Sequence, residues 1–286
     1  MVGVSPAYFI SRFGEGFTPS DLASSLDDLK AAGADAYQLE IFREDGASDW
    51  TTDAISRLRD AEGKTGLNAS QFVAHYFLHG FADPVSLRGD RGLAAFEHVV
   101  EICRSFPLVK TVTVPLPPFD AGRSSTPADW ASFRVALVGK LVRASRITAS
   151  AGLHLALELV PGNLLGSPGE VLTFRKEPGL EDIGYNFDTG HAWACRERVD
   201  LLPAKLAGVI YGTHLKDNAQ KDPLAMAPGT GTIPWKRVVS GLLASGYDGS
   251  WDVEFMCPPA DANDQYARGI AFIKQVLAEC GDGSSI

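Results

Sequence analysis

Four cysteines in 286 residues, Cys103, Cys195, Cys257 and Cys280, stand far apart with no C-x-x-C pair. That spacing excludes a zinc knuckle or a thioredoxin-type motif, and reduced thiols are expected. No apolar run approaches the roughly 20 residues that a membrane-spanning helix needs. Residues 2–10 are interrupted by Pro6 and followed by Arg12, so both the basic and the long apolar region of a secretory signal are missing. A cytoplasmic protein without a membrane partner is the expectation. Basic residues number 26 against 35 acidic ones, a formal charge of -9 with no local basic patch, which disfavours nucleic acid and anionic lipid. No Ser-, Pro- or Gly-rich linker divides the chain, so residues 1–280 are expected to form one domain and 281–286 a frayed tail.

What is present is an ordinary globular composition, 45% hydrophobic and 21% charged, with enough apolar surface for one large core. Short β-type runs alternate with helical patterns from end to end, the signature of βα units and a parallel sheet. Eight strand candidates fall near 4–10, 36–42, 67–77, 111–116, 154–160, 183–188, 208–215 and 249–255. Eight units predict a single-domain (β/α)8 TIM barrel. Between them, residues 132–150 place Phe133, Ala136, Leu137, Leu141 and Ile147 on one helical face. Residues 234–245 open on Pro234, carry Val238, Val239, Leu242 and Leu243 at core spacing, and stop at Gly246. Ala32-Gly33, Ala151-Gly152 and Ser245-Gly246 each read as a helix end, and each is followed by a strand closing on a glutamate: Glu40, Glu158 and Glu254. All three strand ends would face one mouth of the barrel.

An isolated acid in an apolar strand is costly to bury. Leu155-Ala-Leu-Glu158-Leu-Val160 and Trp251-Asp-Val-Glu254-Phe255 are such strands, and between them lie Tyr185-Asn-Phe-Asp188-Thr-Gly-His191 and Tyr211-Gly-Thr-His214-Leu-Lys-Asp217. Four successive strands therefore deliver acid, acid, imidazole and acid. Two carboxylates about 4 Å apart repel by roughly 4 kcal/mol at an effective dielectric near 20, so the bare cluster would not stay ionised. A divalent cation is the simplest reason to gather Glu158, Asp188, His214 and Glu254. Three carboxylates and one imidazole make a hard site suited to Mn²⁺, with Mg²⁺, Co²⁺ or Zn²⁺ as alternatives.

These motifs resemble the xylose isomerase-like superfamily of sugar isomerases and epimerases. The resemblance rests on Ala156-Leu-Glu158, Phe187-Asp188-Thr-Gly-His191, His214-Leu-Lys216-Asp217, Val253-Glu254 and the loop Gly229-Thr-Gly-Thr-Ile-Pro-Trp235, which together span most of the chain. It implies one divalent metal on Glu158, Asp188, His214 and Glu254, with Glu158 and Glu254 also shuttling protons on opposite faces of a ketose or related polyol through a metal-stabilised enediolate. It further implies that His191 holds a substrate oxygen and that Lys216 offsets developing negative charge. His75 and Trp193 are added as substrate contacts, the latter with Trp235 and Phe255 as candidates for an apolar wall. Glu40 reads as a rim residue, and Asp217 either orients His214 or Lys216 or begins a solvated loop. A homodimer or tetramer is implied.

Two departures bear on the reaction. Leu164 stands where ketose 3-epimerases of this superfamily carry a second glutamate, and Gln220 stands where they carry an arginine. The His-x-Lys-Asp form is also similar to inosose dehydratases, so loss of a β-hydroxyl from a keto-cyclitol is the rival outcome. C-glycoside-cleaving relatives, often with a small partner subunit, are a further lyase alternative. An endonuclease IV-like nuclease is disfavoured: the fourth strand ends in Thr113-Val-Pro115 without histidine, and the Gly229 loop lacks an Asp-x-His pair. A non-catalytic sugar-binding protein is the remaining class.

Overall fold

The computed structural model describes residues 1–220 and 224–281. Eight strands run in parallel: β1 Val2–Val4, β2 Ala36–Glu40, β3 Asn68–Val73, β4 Thr111–Leu116, β5 His154–Leu159, β6 Gly184–Asp188, β7 Ile210–His214 and β8 Trp251–Val253. They follow the order β7-β6-β5-β4-β3-β2-β1-β8. The seam between β7 and β8 is closed by Leu215 N–H donating to Asp252 at 2.8 Å and Glu254 N–H donating to Leu215 at 2.9 Å. The chain is a (β/α)8 TIM barrel.

Local signals set the helix positions. Helices Pro19–Ala31 and Pro127–Ala149 each begin with proline behind a threonine N-cap, and Asp21 and Asp129 complete reciprocal capping boxes with Thr18 and Thr126. Phe133, Leu137 and Leu141 of the longer helix are buried as their spacing requires. In helix Trp235–Ala244, Val238, Val239 and Leu242 are buried, but Leu243 is exposed, because the core-facing stripe is narrower than the run of apolar residues.

Two strand expectations need correction. The first strand stops at Val4, and Ala7–Phe13 is a helix that lays Tyr8 and Phe9 into the core. The third stops at Val73, and His75–Gly80 turns into a short 3₁₀ helix. In both cases an apolar run continues past the barrel rim and is buried by folding over it, which periodicity cannot distinguish from a longer strand. Of the expected frayed tail, Gly281 still belongs to helix Ala262–Gly281, and 282–286 lie outside the described residues.

Side chains two residues apart on a strand share a face. Gln38 therefore lies one layer below Glu40, Asn186 below Asp188, Gly212 below His214 and Asp252 below Glu254. Barrel interiors are dominated by branched apolar residues, but this layer is polar and fully buried. Gln38 Nε2 donates to Asp252 at 2.8 Å, and Gln71 joins Thr113 and Asn186 at 3.3 Å each. Gly3 and Gly212 make room for it: a Cβ at Gly3 would lie 2.2 Å from Asp252 Oδ1, and one at Gly212 only 2.3 Å from Gln71 Oε1.

Candidate metal centre

At the C-terminal mouth, β5, β6, β7 and β8 bring Glu158, Asp188, His214 and Glu254 together, one ligand atom of each lying within 4.8 Å of the others. Glu158 Oε1 and Glu254 Oε2 each lie 3.0 Å from His214 Nδ1. The other ring nitrogen, Nε2, meets Gln38 Oε1 at 2.9 Å. Gln38 is oriented by its own bond to Asp252, so its amide oxygen faces His214, and Nε2 must carry the hydrogen. Nδ1 is thereby the nitrogen left to face the carboxylates.

Lys216 completes the cluster. Its Nζ lies 2.6 Å from Asp188 Oδ2, 2.6 Å from Glu254 Oε1 and 3.3 Å from His191 Nε2. Burial alone would raise Glu158 and Glu254 and lower His214 and Lys216, but their mutual attraction prevails: both glutamates titrate below the usual range, and the histidine and lysine are raised. Burial lifts Asp188 to about 6 against the pull of His191 and Lys216. His191 is pushed down to about 4 by burial and is neutral at pH 7.

These residues fit a divalent ion. Bonds of about 2.0–2.6 Å from one centre reach oxygen and nitrogen atoms spread over this span. Asp188 Oδ1 accepts the His191 amide at 2.8 Å, while Oδ2 has no well-angled hydrogen bond and faces the Lys216 ammonium at 2.6 Å and His191 Nε2 at 3.3 Å. A cation on Nδ1 competes with the proton that His214 otherwise holds there, so binding would release a proton and tighten as pH rises. The lysine also revises the charge count. Three carboxylates, one ammonium, a neutral imidazole and a divalent ion sum to zero.

Glu40, Glu158, His75, His191, His214, Lys216 and Glu254 line one cavity of about 240 Å³. Trp193 does not reach its wall; its Nε1 donates to Thr232 Oγ1 at 3.0 Å. Trp235 and Phe255 are buried elsewhere, Phe255 stacking on Tyr266. Asp217 neither orients His214 nor begins a solvated loop. It is fully buried and accepts four bonds, from the amides of Asn218, Gly229 and Ile233 and from Trp235 Nε1, at 2.8–3.1 Å. A Cβ at Gly231 would lie 2.2 Å from Asp217 Oδ1, which explains a glycine in that loop. Gln38 and Asp252 escaped sequence reading, although their position two residues before a mouth-facing glutamate was a usable signal.

A family profile described as xylose isomerase-like TIM barrel matches residues 26–276. The chain belongs to that family. No curated protein matches it. Among solved structures it is similar to the apo form of 3-keto-D-glucoside 4-epimerase, YcjR, from E. coli, with TM-score 0.76 and 17% identity over 96% of this chain and 98% of that one. It is also similar to the IOLI protein with a binding zinc atom, with TM-score 0.72 and 17% identity over 100% and 99%. A third is D-psicose 3-epimerase with D-tagatose from Clostridium cellulolyticum H10, with TM-score 0.73 and 14% identity over 96% and 98%. At these identities the likeness concerns the fold. No helix among the described residues is long and apolar enough to cross a membrane.

Proposed function

We propose that this protein is a divalent-metal-dependent isomerase or epimerase that moves a proton at a carbon next to the carbonyl of a sugar-like substrate. Glu158, Asp188, His214 and Glu254 would hold the metal, with Mn²⁺ the ion best suited to their oxygen-rich set. When bound, it would polarise the carbonyl and acidify the neighbouring C–H, a contribution of several kcal/mol. The observation that carries the reading is the placement of Glu158 and Glu254, which approach His214 Nδ1 at 3.0 Å each from two different strands. One glutamate, as the carboxylate, would take the proton from one face of the substrate, and the other, carrying a proton acquired from solvent, would return it to the opposite face and be left ionised. A positioned base of this kind accelerates proton transfer by roughly 10²- to 10⁴-fold.

Lys216 is held firmly protonated by Asp188 and Glu254, so it would hold a developing oxyanion and donate its proton poorly. Lys216 is therefore an oxyanion holder and not the acid that expulsion of a β-hydroxyl would need. His191, neutral and facing the same cavity, would hold a substrate oxygen.

Incubation of the Mn²⁺-supplemented protein with ketoses and inososes in D₂O tests the reading. Exchange at a carbon next to the carbonyl is expected, abolished by chelator and reduced at least 10²-fold in Glu158→Gln. Appearance of an enone chromophore would replace isomerisation by dehydration. Absence of exchange and of product with every candidate would reject both.

A further inference from the structure

Glu40 and His75 line the cavity but take no part in the proton transfer just proposed. Glu40 ends β2 with 4% of its surface exposed, and among the described residues no cation pairs with it. Its Oε2 has no hydrogen-bond partner. His75 rises from the neighbouring strand end, two residues beyond Val73, which pairs in register with Glu40. Its ring is fixed by stacking on Phe42 at 4.0 Å between centroids, and its Nδ1 is also buried without a partner. Leaving a buried polar atom unmatched forfeits the hydrogen bond it made with water and is destabilising. Two such atoms on adjacent strand ends of one cavity mark a place for a polar ligand group.

Charge decides which class of ligand fits. Among the described residues, the cavity wall carries the carboxyl groups of Glu40, Glu158 and Glu254, one ammonium from Lys216, and no arginine. Lys216 is already shared between Asp188 and Glu254. Among the described residues, a phosphate or carboxylate entering on the β2–β3 side would find no cation beside Glu40 and His75 to offset its desolvation. Ile10, Phe42, Val160 and Met256 supply apolar surface between the polar groups, matching the C–H faces of a polyol.

We propose that Glu40 and His75 form a second polar subsite that binds hydroxyl groups of an uncharged polyol and selects against phosphorylated or carboxylated sugars. The inference rests on the reading of the cavity as a sugar site. Burial holds the Glu40 carboxyl well above the usual range, with Glu254 adding to the effect, so the group offers a donor as well as an acceptor. His75 is pushed down to about 4 by burial against a backbone hydrogen bond to Phe42, so it is a neutral ring whose unpartnered Nδ1 can serve one hydroxyl.

The test is calorimetric titration of Mn²⁺-supplemented protein with D-fructose, D-tagatose, myo-inositol and methyl β-D-glucoside, and with D-fructose 6-phosphate and D-glucose 6-phosphate. At least one neutral probe should bind, and the phosphate esters should bind at least tenfold more weakly. Glu40→Leu should weaken the best neutral probe at least tenfold, whereas Glu40→Gln, which keeps a donor and an acceptor, should stay within about threefold of wild type. Thermal melting of both variants checks folding. Binding of no neutral probe, phosphate esters binding as well as neutral sugars, or a Glu40→Leu variant that binds as wild type would each overturn the subsite, the last meaning that water alone occupies it. Glu40-dependent binding without exchange in D₂O would sink only the proposed reaction. Exchange that is unchanged in Glu40→Leu would sink only the subsite.

Discussion

His214 gives its Nε2 hydrogen to the side-chain oxygen of Gln38, 2.9 Å away, across the barrel interior. That bond leaves Nδ1 as the only ring nitrogen able to face Glu158 and Glu254, and Asp252 keeps Gln38 from turning its amide over. Outer partners fix the tautomer and ring orientation of a ligating imidazole, and losing one lowers metal affinity. Gln38→Leu is expected to weaken Mn²⁺ binding by about 10- to 100-fold with the barrel still folded. Calorimetric titration with Mn²⁺ measures this directly; unchanged affinity would remove Gln38 from any role in setting the imidazole.

Asp217 shares a motif with His214 and Lys216 but works on a different object. Three of its four accepted bonds, from Gly229, Ile233 and Trp235, tie the segment from Gly229 to Trp235 to the end of β7. Asp217→Ala leaves three buried or half-buried amides and the Trp235 indole without an acceptor. A loss of about 2–4 kcal/mol of stability is expected. Denaturant melts should record that loss while Mn²⁺ affinity, measured where the variant is folded, stays within a few-fold of wild type. The reverse pattern would make Asp217 part of the metal site.

The pH dependence of the metal-free protein should carry a histidine signature. His75 has its pKa lowered from 6.5 to about 4 by burial, so between those values the unfolded chain binds more protons than the folded one. Stability therefore rises with pH through that window and falls on acidification from about pH 6.5 to 4. His191, also lowered to about 4, acts in the same sense, whereas Asp188, raised to about 6, acts in the opposite one. A His75→Phe variant keeps the stacking partner of Phe42 but cannot titrate. Its melting temperature should drop less than that of wild type between pH 7 and pH 4.5. Equal drops would show that His75 does not control the acid limb.

Strand order and the mouth-facing acids are legible in the sequence, because a barrel converts chain order into angular order. Once β5 to β8 are recognised, Glu158, Asp188, His214 and Glu254 must arrive at one rim. The helix ends at Gly33, Gly152 and Gly246 were equally legible, since each glycine takes the left-handed conformation, with φ of 87°, 70° and 75°. What linear sequence could not supply is which polar groups meet across the barrel. The bond between Gln38 and His214 joins positions 176 residues apart, and that between Gln38 and Asp252 spans 214. Lys216 entering the carboxylate cluster, Asp217 turning away from it and Trp193 missing the cavity were decided in the same way. Periodicity fixes the face on which a side chain lies, but closure of the sheet and the reach of each rotamer decide which partners it touches.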